Sequence, residues 1–149
     1  MRTLKRNKQT LYYALYNSKT DETDSFGDKT GFKVSVYDKP VDLKANVSAA
    51  RGSSDSELFG IDLDYNRTVC VEGIDCPIKE DTILWIESTP DNDNPYNYVV
   101  VAKAKSLNNI VYAIKEVKVT GKVSFVPDPV PPTPPEPEDE EVNNVTDND

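Results

Sequence analysis

Val41-Asp42-Leu43-Lys44-Ala45-Asn46-Val47-Ser48-Ala49 and, twelve residues on, Ile61-Asp62-Leu63-Asp64-Tyr65-Asn66-Arg67-Thr68-Val69-Cys70-Val71 decide the fold of this chain. In the first run the odd positions are apolar and the even positions polar, which is the two-residue period of a half-buried strand. The second run resumes that period, with Ile61, Leu63, Tyr65, Val69 and Val71 set against Asp62, Asp64, Asn66 and Thr68. Between them lies a hydrophilic insert, residues 49 to 60, in which Arg51, Ser53, Ser54, Asp55, Ser56 and Glu57 have no apolar group to bury. Leu58 and Phe59 at its end can staple it back to the strands. An excursion of this length in a compact domain is either functional or loose. It reads as a surface hairpin or as a projecting arm whose small residues pack against copies of itself.

Working outward, short runs rich in Val, Ile and Tyr fill residues 10 to 120, separated by turn residues, and strands are their natural reading. Leu11 to Tyr16 is expected to be one strand and Phe32 to Tyr37 its hairpin partner, joined by the polar connector Asp21 to Gly31. Pro40 ends that hairpin. Ile83 to Glu87 is a short strand around the sole tryptophan, entered through the turn from Cys76-Pro77 to Asp81. Pro90 to Pro95 is a turn, and Tyr96, Tyr98, Val100, Ala102 and Ala104 alternate on the next strand. Leu107 to Asn109 reverses the chain into a last strand from Ile110 through Val119. Only Ser54 to Phe59 reads as a helical turn. This spacing predicts an all-β domain, a small antiparallel barrel or sandwich with one long projecting loop.

The chain has 149 residues, enough for one core, and residues 1 to 126 are read as that domain. Residues 127 to 137 hold seven prolines, and acidic residues follow. Such a segment has no apolar face to bury, so 127 to 149 is expected to be polyproline II running into disorder. The net charge of −9 is unevenly spread: residues 1 to 19 carry +5, residues 20 to 126 carry −6, and residues 127 to 149 carry −8. A body and tail of that sign repel nucleic-acid backbone. The basic start, residues 1 to 9, is an arm whose Arg2, Lys5, Arg6 and Lys8 are candidates for assembly contacts with an acidic neighbour. No stretch approaches the length of an apolar membrane span, and the reading is a protein made and kept in the host cytoplasm, or one that leaves inside something else, without membrane contact.

Catalysis is poorly supported. Histidine is absent, and the acids fall in turns, on polar strand faces or in the tail. Asp62 and Asp64 share a strand face and pair in principle as acid and base, although a solvated face explains them better. Asp91-Asn92-Asp93-Asn94 echoes a calcium loop, but Tyr96 stands where such a loop needs glycine. Cys70 and Cys76 without histidine make a poor zinc site and read as reduced structural cysteines. No cofactor, metal or catalytic residue is expected. The tyrosines and Trp85 suggest stacking platforms, yet most lie in core register and the surrounding charge is acidic. Arg67 falls on the apolar register of its strand, where an unpaired charge is costly. Either a bulge moves it outward or a neighbouring subunit supplies a carboxylate.

Val41-Asp-Leu-Lys-Ala-Asn-Val-Ser-Ala-Ala-Arg-Gly, Leu58-Phe-Gly-Ile-Asp-Leu-Asp-Tyr-Asn-Arg-Thr-Val, Asp81-Thr-Ile-Leu-Trp-Ile, Asn97-Tyr-Val-Val and Ser106-Leu-Asn-Asn-Ile-Val-Tyr-Ala-Ile-Lys-Glu-Val occur in that order. Together with the opening Met1-Arg-Thr-Leu-Lys-Arg-Asn-Lys-Gln they resemble the head-tail connector or head-closure (stopper) proteins of long-tailed bacteriophages, over about residues 1 to 119. The resemblance implies a small β-barrel that forms a homo-oligomeric ring, commonly twelve-fold, in the virion neck. Portal or adaptor proteins would be its partners on the head side and tail-completion proteins on the tail side. Packaged DNA would pass through the channel without sequence-specific binding, and the insert would be the channel loop that helps retain the genome. The proline-rich acidic tail departs from the family pattern. From another class, the alternative is a soluble β-barrel binding module whose proline-rich tail recruits a partner protein.

Overall fold

In the computed structural model, residues 5–50, 58–91 and 94–133 are described. A 3₁₀ turn at Lys5–Asn7 leads into strands β1 (Gln9–Ala14), β2 (Tyr16–Thr23), β3 (Lys29–Tyr37), β4 (Val41–Val47), β5 (Arg67–Glu72), β6 (Ile83–Trp85), β7 (Tyr98–Lys105), β8 (Asn109–Glu116) and β9 (Ser124–Phe125). Six of them close into an antiparallel barrel in the order β1-β4-β5-β8-β7-β6, and the other three form a separate sheet, β2-β3-β9. The expected barrel is therefore present. Closure matters physically because it leaves the barrel without a free strand edge.

The barrel interior is filled by alternate residues of each strand. Leu11 and Tyr13 from β1, Val69 and Val71 from β5, Tyr98 and Val100 from β7, and Ile110, Tyr112 and Ile114 from β8 meet Leu84, Ile86 and Ile78 in one cluster. A fully buried aliphatic side chain of this kind contributes about 1.5–3 kcal/mol. Residues Ile110 to Ile114 of β8 are buried at every position, so both faces of this strand are covered. Leu58, from the end of the insert, stands on the outer side beside Val111.

A second cluster lies outside the wall. Ala14, Ile83 and Trp85 are packed there by Tyr12, Tyr37, Tyr96, Val99, Val123 and Phe125. Trp85 is in edge contact with Tyr96 at 6.3 Å and in tilted contact with Phe125 at 6.2 Å between centroids, and its Nε1 donates to the Asn94 carbonyl at 3.1 Å. This cluster fastens the root of the three-stranded sheet to the barrel.

Several boundaries differ from expectation. Leu11 to Tyr16 is not one strand: the chain breaks at Leu15, β1 pairs with β4 and β6, and the hairpin is made by β2 with β3. Much of the supposed connector Asp21 to Gly31 is strand, because main-chain pairing needs no apolar side chain. The second alternating run begins as strand only at Arg67, and Ile61 is 83 % exposed. Asp62 and Asp64 accordingly share no strand face, and Asp64 pairs with Lys115 at 2.5 Å. The last barrel strand ends at Glu116 rather than Val119, and the chain returns as β9, parallel to β3, with Val36 opposite Ser124 and Tyr37 opposite Phe125. Of the expected helical turn Ser54–Phe59 only Leu58 and Phe59 are described, and they are helical. Residues 127–133 are exposed and without regular structure, and the rest of the tail lies outside the described residues.

Candidate assembly surface

The largest feature that the barrel does not explain is the arm formed by β2 and β3. Its root is held: Tyr16 pairs with Tyr37 in register and in edge-on ring contact at 6.0 Å, and Asp38 N–H donates to the Leu15 carbonyl at 2.8 Å. Beyond Val36 the burial stops. Every residue from Lys19 to Lys33 is exposed, including Phe32 at 73 %. The outer edge of β2 carries no strand partner among the described residues, and two register shifts interrupt its pairing with β3.

The tip is a built turn. Asp24 Oδ1 accepts from the backbone N–H groups of Phe26 at 2.9 Å and Asp28 at 3.0 Å, and the Asp24 carbonyl accepts from Gly27 N–H at 3.1 Å. Gly27 has a φ of +88°, a conformation that favours a residue without Cβ. With the backbone satisfied locally, Phe26 is turned into solvent. Phe26 was not singled out in the sequence, and Phe32 was read only as the start of a strand. The available signal was an aromatic residue in a polar stretch where no core asks for one.

Between arm and barrel runs an open cleft of about 400 Å³, lined by Tyr16, Lys19, Ser35, Tyr37, Asp81 and Val99. Burial, and then Tyr96 beside it, push the Tyr37 hydroxyl up to about 12. Asp81 turns the chain at the rim with a φ of +67°, a strained conformation for a residue with Cβ.

Arg67 is met within its own chain, on a strand that pairs with β8 without the bulge that was one of the two expectations for it. Its Nε donates to the Ser48 carbonyl at 2.5 Å, its Nη2 lies 3.7 Å from Glu87 Oε1, and the guanidinium stands 5.9 Å from the centroid of the Tyr98 ring. Its side chain is 15 % exposed. The cation is thus accommodated at the barrel end by a carbonyl and an aromatic face more than by the distant, exposed carboxylate.

Of the basic start, Lys8 pairs with Glu72 at 2.5 Å, and that hydrogen bond and charge hold the Glu72 carboxyl below its ordinary value. Lys5 and Arg6 are exposed on the 3₁₀ turn. Arg2 and the loop residues Arg51, Ser53, Ser54, Asp55, Ser56 and Glu57 lie outside the described residues. Phe59, just after them, packs edge-on against Tyr65 at 5.7 Å, so the insert is stapled back where Leu58-Phe59 suggested.

Cys70 and Cys76 form no bridge, and burial raises the Cys70 thiol. Among the described residues no group of three or more acidic or cysteine side chains is placed to hold a metal ion, and no helix is long and apolar enough to cross a membrane. Asn94 N–H donates to the Asp91 carbonyl at 2.9 Å, and Asn92 and Asp93 lie outside the described residues. Compared with protein-family models, with curated proteins and with solved structures, the chain finds no match.

Proposed function

We propose that this chain is a structural protein of the bacteriophage neck, forming an oligomeric ring that closes the DNA-filled head and joins it to the tail. The observation that carries the reading is the arm. A two-stranded ribbon that buries nothing over its outer half gains little stability from its own chain, since isolated hairpins are marginal in water. Such a ribbon is best accounted for by a neighbour.

The closed barrel suits this role, because subunits packed side by side at high local concentration must not join through open sheet edges. The segments that resemble connector proteins also fall on barrel elements in order: 41–52 contains β4, 58–69 runs into β5, 81–86 contains β6, 97–100 opens β7, and 106–117 contains β8. The net charge of −9 fits a channel along which DNA slides without sticking.

In this reading portal or adaptor proteins meet one rim and tail-completion proteins the other, and Arg51 to Glu57 form a loop toward the channel. Exposed Lys5 and Arg6, with Arg2, serve assembly. Quantitative mass spectrometry of purified virions tests the proposal: the chain is expected in fixed stoichiometry with portal and tail proteins, and its absence beside them contradicts it. Replacing Arg51–Glu57 by a short Gly-Ser turn is expected to preserve β content while impairing genome retention. Normal phage yield from that variant returns the loop to a surface hairpin.

A further inference from the structure

Two features of different elements, the tip of the arm and a notch on β7 and β8, lack a partner within the chain, and they match each other. The first is the arm's tip, which presents Phe26, 89 % exposed, between Asp24 and Asp28. Asp28 makes no ion pair among the described residues. The second is a notch on β7 and β8, where Leu58 stands beside Ala104 and Val111 around an open cavity of about 110 Å³. For scale, an enclosed apolar cavity of about 150 Å³ holds a benzene ring. Lys105 lines the notch together with Ser106 and Asn109, and it is in no ion pair among the described residues. An acid-flanked aromatic ring and a mostly apolar notch with one lysine at its edge are complementary in charge and in polarity.

The occupant follows from topology. The arm continues from β1, whereas the notch belongs to β7 and β8, and β8 is three places from β1 whichever way the six-stranded barrel is followed. A contact between these different patches on two copies is heterologous, and head-to-tail repetition of such a contact generates a ring when its rotation closes. The free edge of β2 is the weaker candidate, since register shifts and Lys19 guard it against strand addition.

We infer that Phe26 of one copy docks in the Leu58–Ala104–Val111 notch of the next copy, with Asp28 facing Lys105. This contact rests on the ring reading above and specifies which surfaces meet. It is tested by amide NMR of the full chain in a mixing experiment. A labelled Phe26→Ser chain, which keeps its notch, is titrated with unlabelled native chain up to about 1 mM. Signals around Leu58, Ala104, Lys105 and Val111 are expected to move while those of the labelled tip stay still. Lys105→Glu in the labelled chain is expected to abolish the movement, and Asp28→Lys in the unlabelled partner to restore it. Two results overturn the contact: no movement at the notch over the whole range, or movement confined to other surfaces such as β2. Neither result bears on whether the chain is in the virion, which the mass-spectrometric test decides separately.

Discussion

The barrel and the arm are both antiparallel β-structure, yet they are held by different things. In the barrel, Leu11, Ile110 and Ile114 are fully buried, closure pairs the strands around the whole circumference, and the side-chain pattern and main-chain pairing favour the same structure. In the arm the main chain of β2 and β3 is paired, but no apolar residue beyond Val36 is buried, and Phe26 and Phe32 face water. The difference teaches that hydrogen bonding alone shapes a ribbon, while burial decides whether it is anchored. In the proposed assembly, a neighbouring copy would complete this unanchored ribbon and its two exposed aromatic rings.

The most severe test of this division is Trp85→Ala. Trp85 is fully buried where the arm's root meets the wall, so its loss is expected to cost about 3–5 kcal/mol and lower Tm by roughly 10 °C. Phe32→Ser on the arm, a change of similar character in the sequence, is expected to stay within about 0.5 kcal/mol. Equal losses in a denaturant titration would mean that the arm is packed and the contrast is wrong.

Next in size is Arg67→Met. It removes the donor to Ser48 and the cation over Tyr98, for an expected loss of about 1–3 kcal/mol. The exposed Glu87→Gln change should cost less than about 0.5 kcal/mol, given the 3.7 Å separation. Reversal of that order by urea denaturation would make Glu87 the true counter-ion.

Alkali should loosen the root of the arm and the barrel together. Tyr13, Tyr37 and Tyr112 are all raised above the ordinary tyrosine value by burial. Their contribution is complete below pH 10, where the unfolded chain also keeps its phenol protons. The share of Tyr37 is lost as pH rises through about 12, where it ionises in the folded state. Tyr37→Phe is expected to make the fall of Tm above pH 10 shallower, and an unchanged slope contradicts this assignment. At the acid end the sign reverses for Glu72, whose lowered pKa gives stability fully present above its ordinary value of 4.5 and lost as pH falls through the lowered folded-state value. The smallest effect is expected from ending the chain at Val126. Residues 127–133 are exposed, and the ion pair between Lys39 and Asp128 is their sole salt bridge among the described residues.

The same contrast explains what the sequence revealed. Alternation at 41 to 47 was legible because that strand has a more buried face and a wetter face, whereas the apolar run from Tyr98 to Ala104 changes face at the register shift between Val100 and Ala102. The interior residues of β8 were legible too, though its outer face, covered at Val111 and Ala113, was not foreseen. The arm escaped because its outer half has no buried face to impose a period, so Asp21 to Gly31 read as a connector. Ile61, Leu63 and Tyr65 misled in the opposite direction. They alternate, yet Ile61 is exposed and Tyr65 is buried from a segment without strand structure. Two-residue β9 depends wholly on β3, its distant partner, and no local pattern announces it. Of the candidate site, the staple at Leu58-Phe59 and the basic residues were visible. The solution for Arg67 required Ser48 and Tyr98, which come together only when β4, β5 and β7 are in place.

Hydrogen exchange on the isolated chain addresses the division most directly, because it reads main-chain protection residue by residue. The account predicts that amides of β5, β7 and β8 exchange only through global unfolding. Those from Lys19 to Lys33 should exchange faster by orders of magnitude, although they too are strand-paired. If the arm's amides are as protected as those of the barrel, the arm is anchored within its own chain and needs no neighbour to complete it.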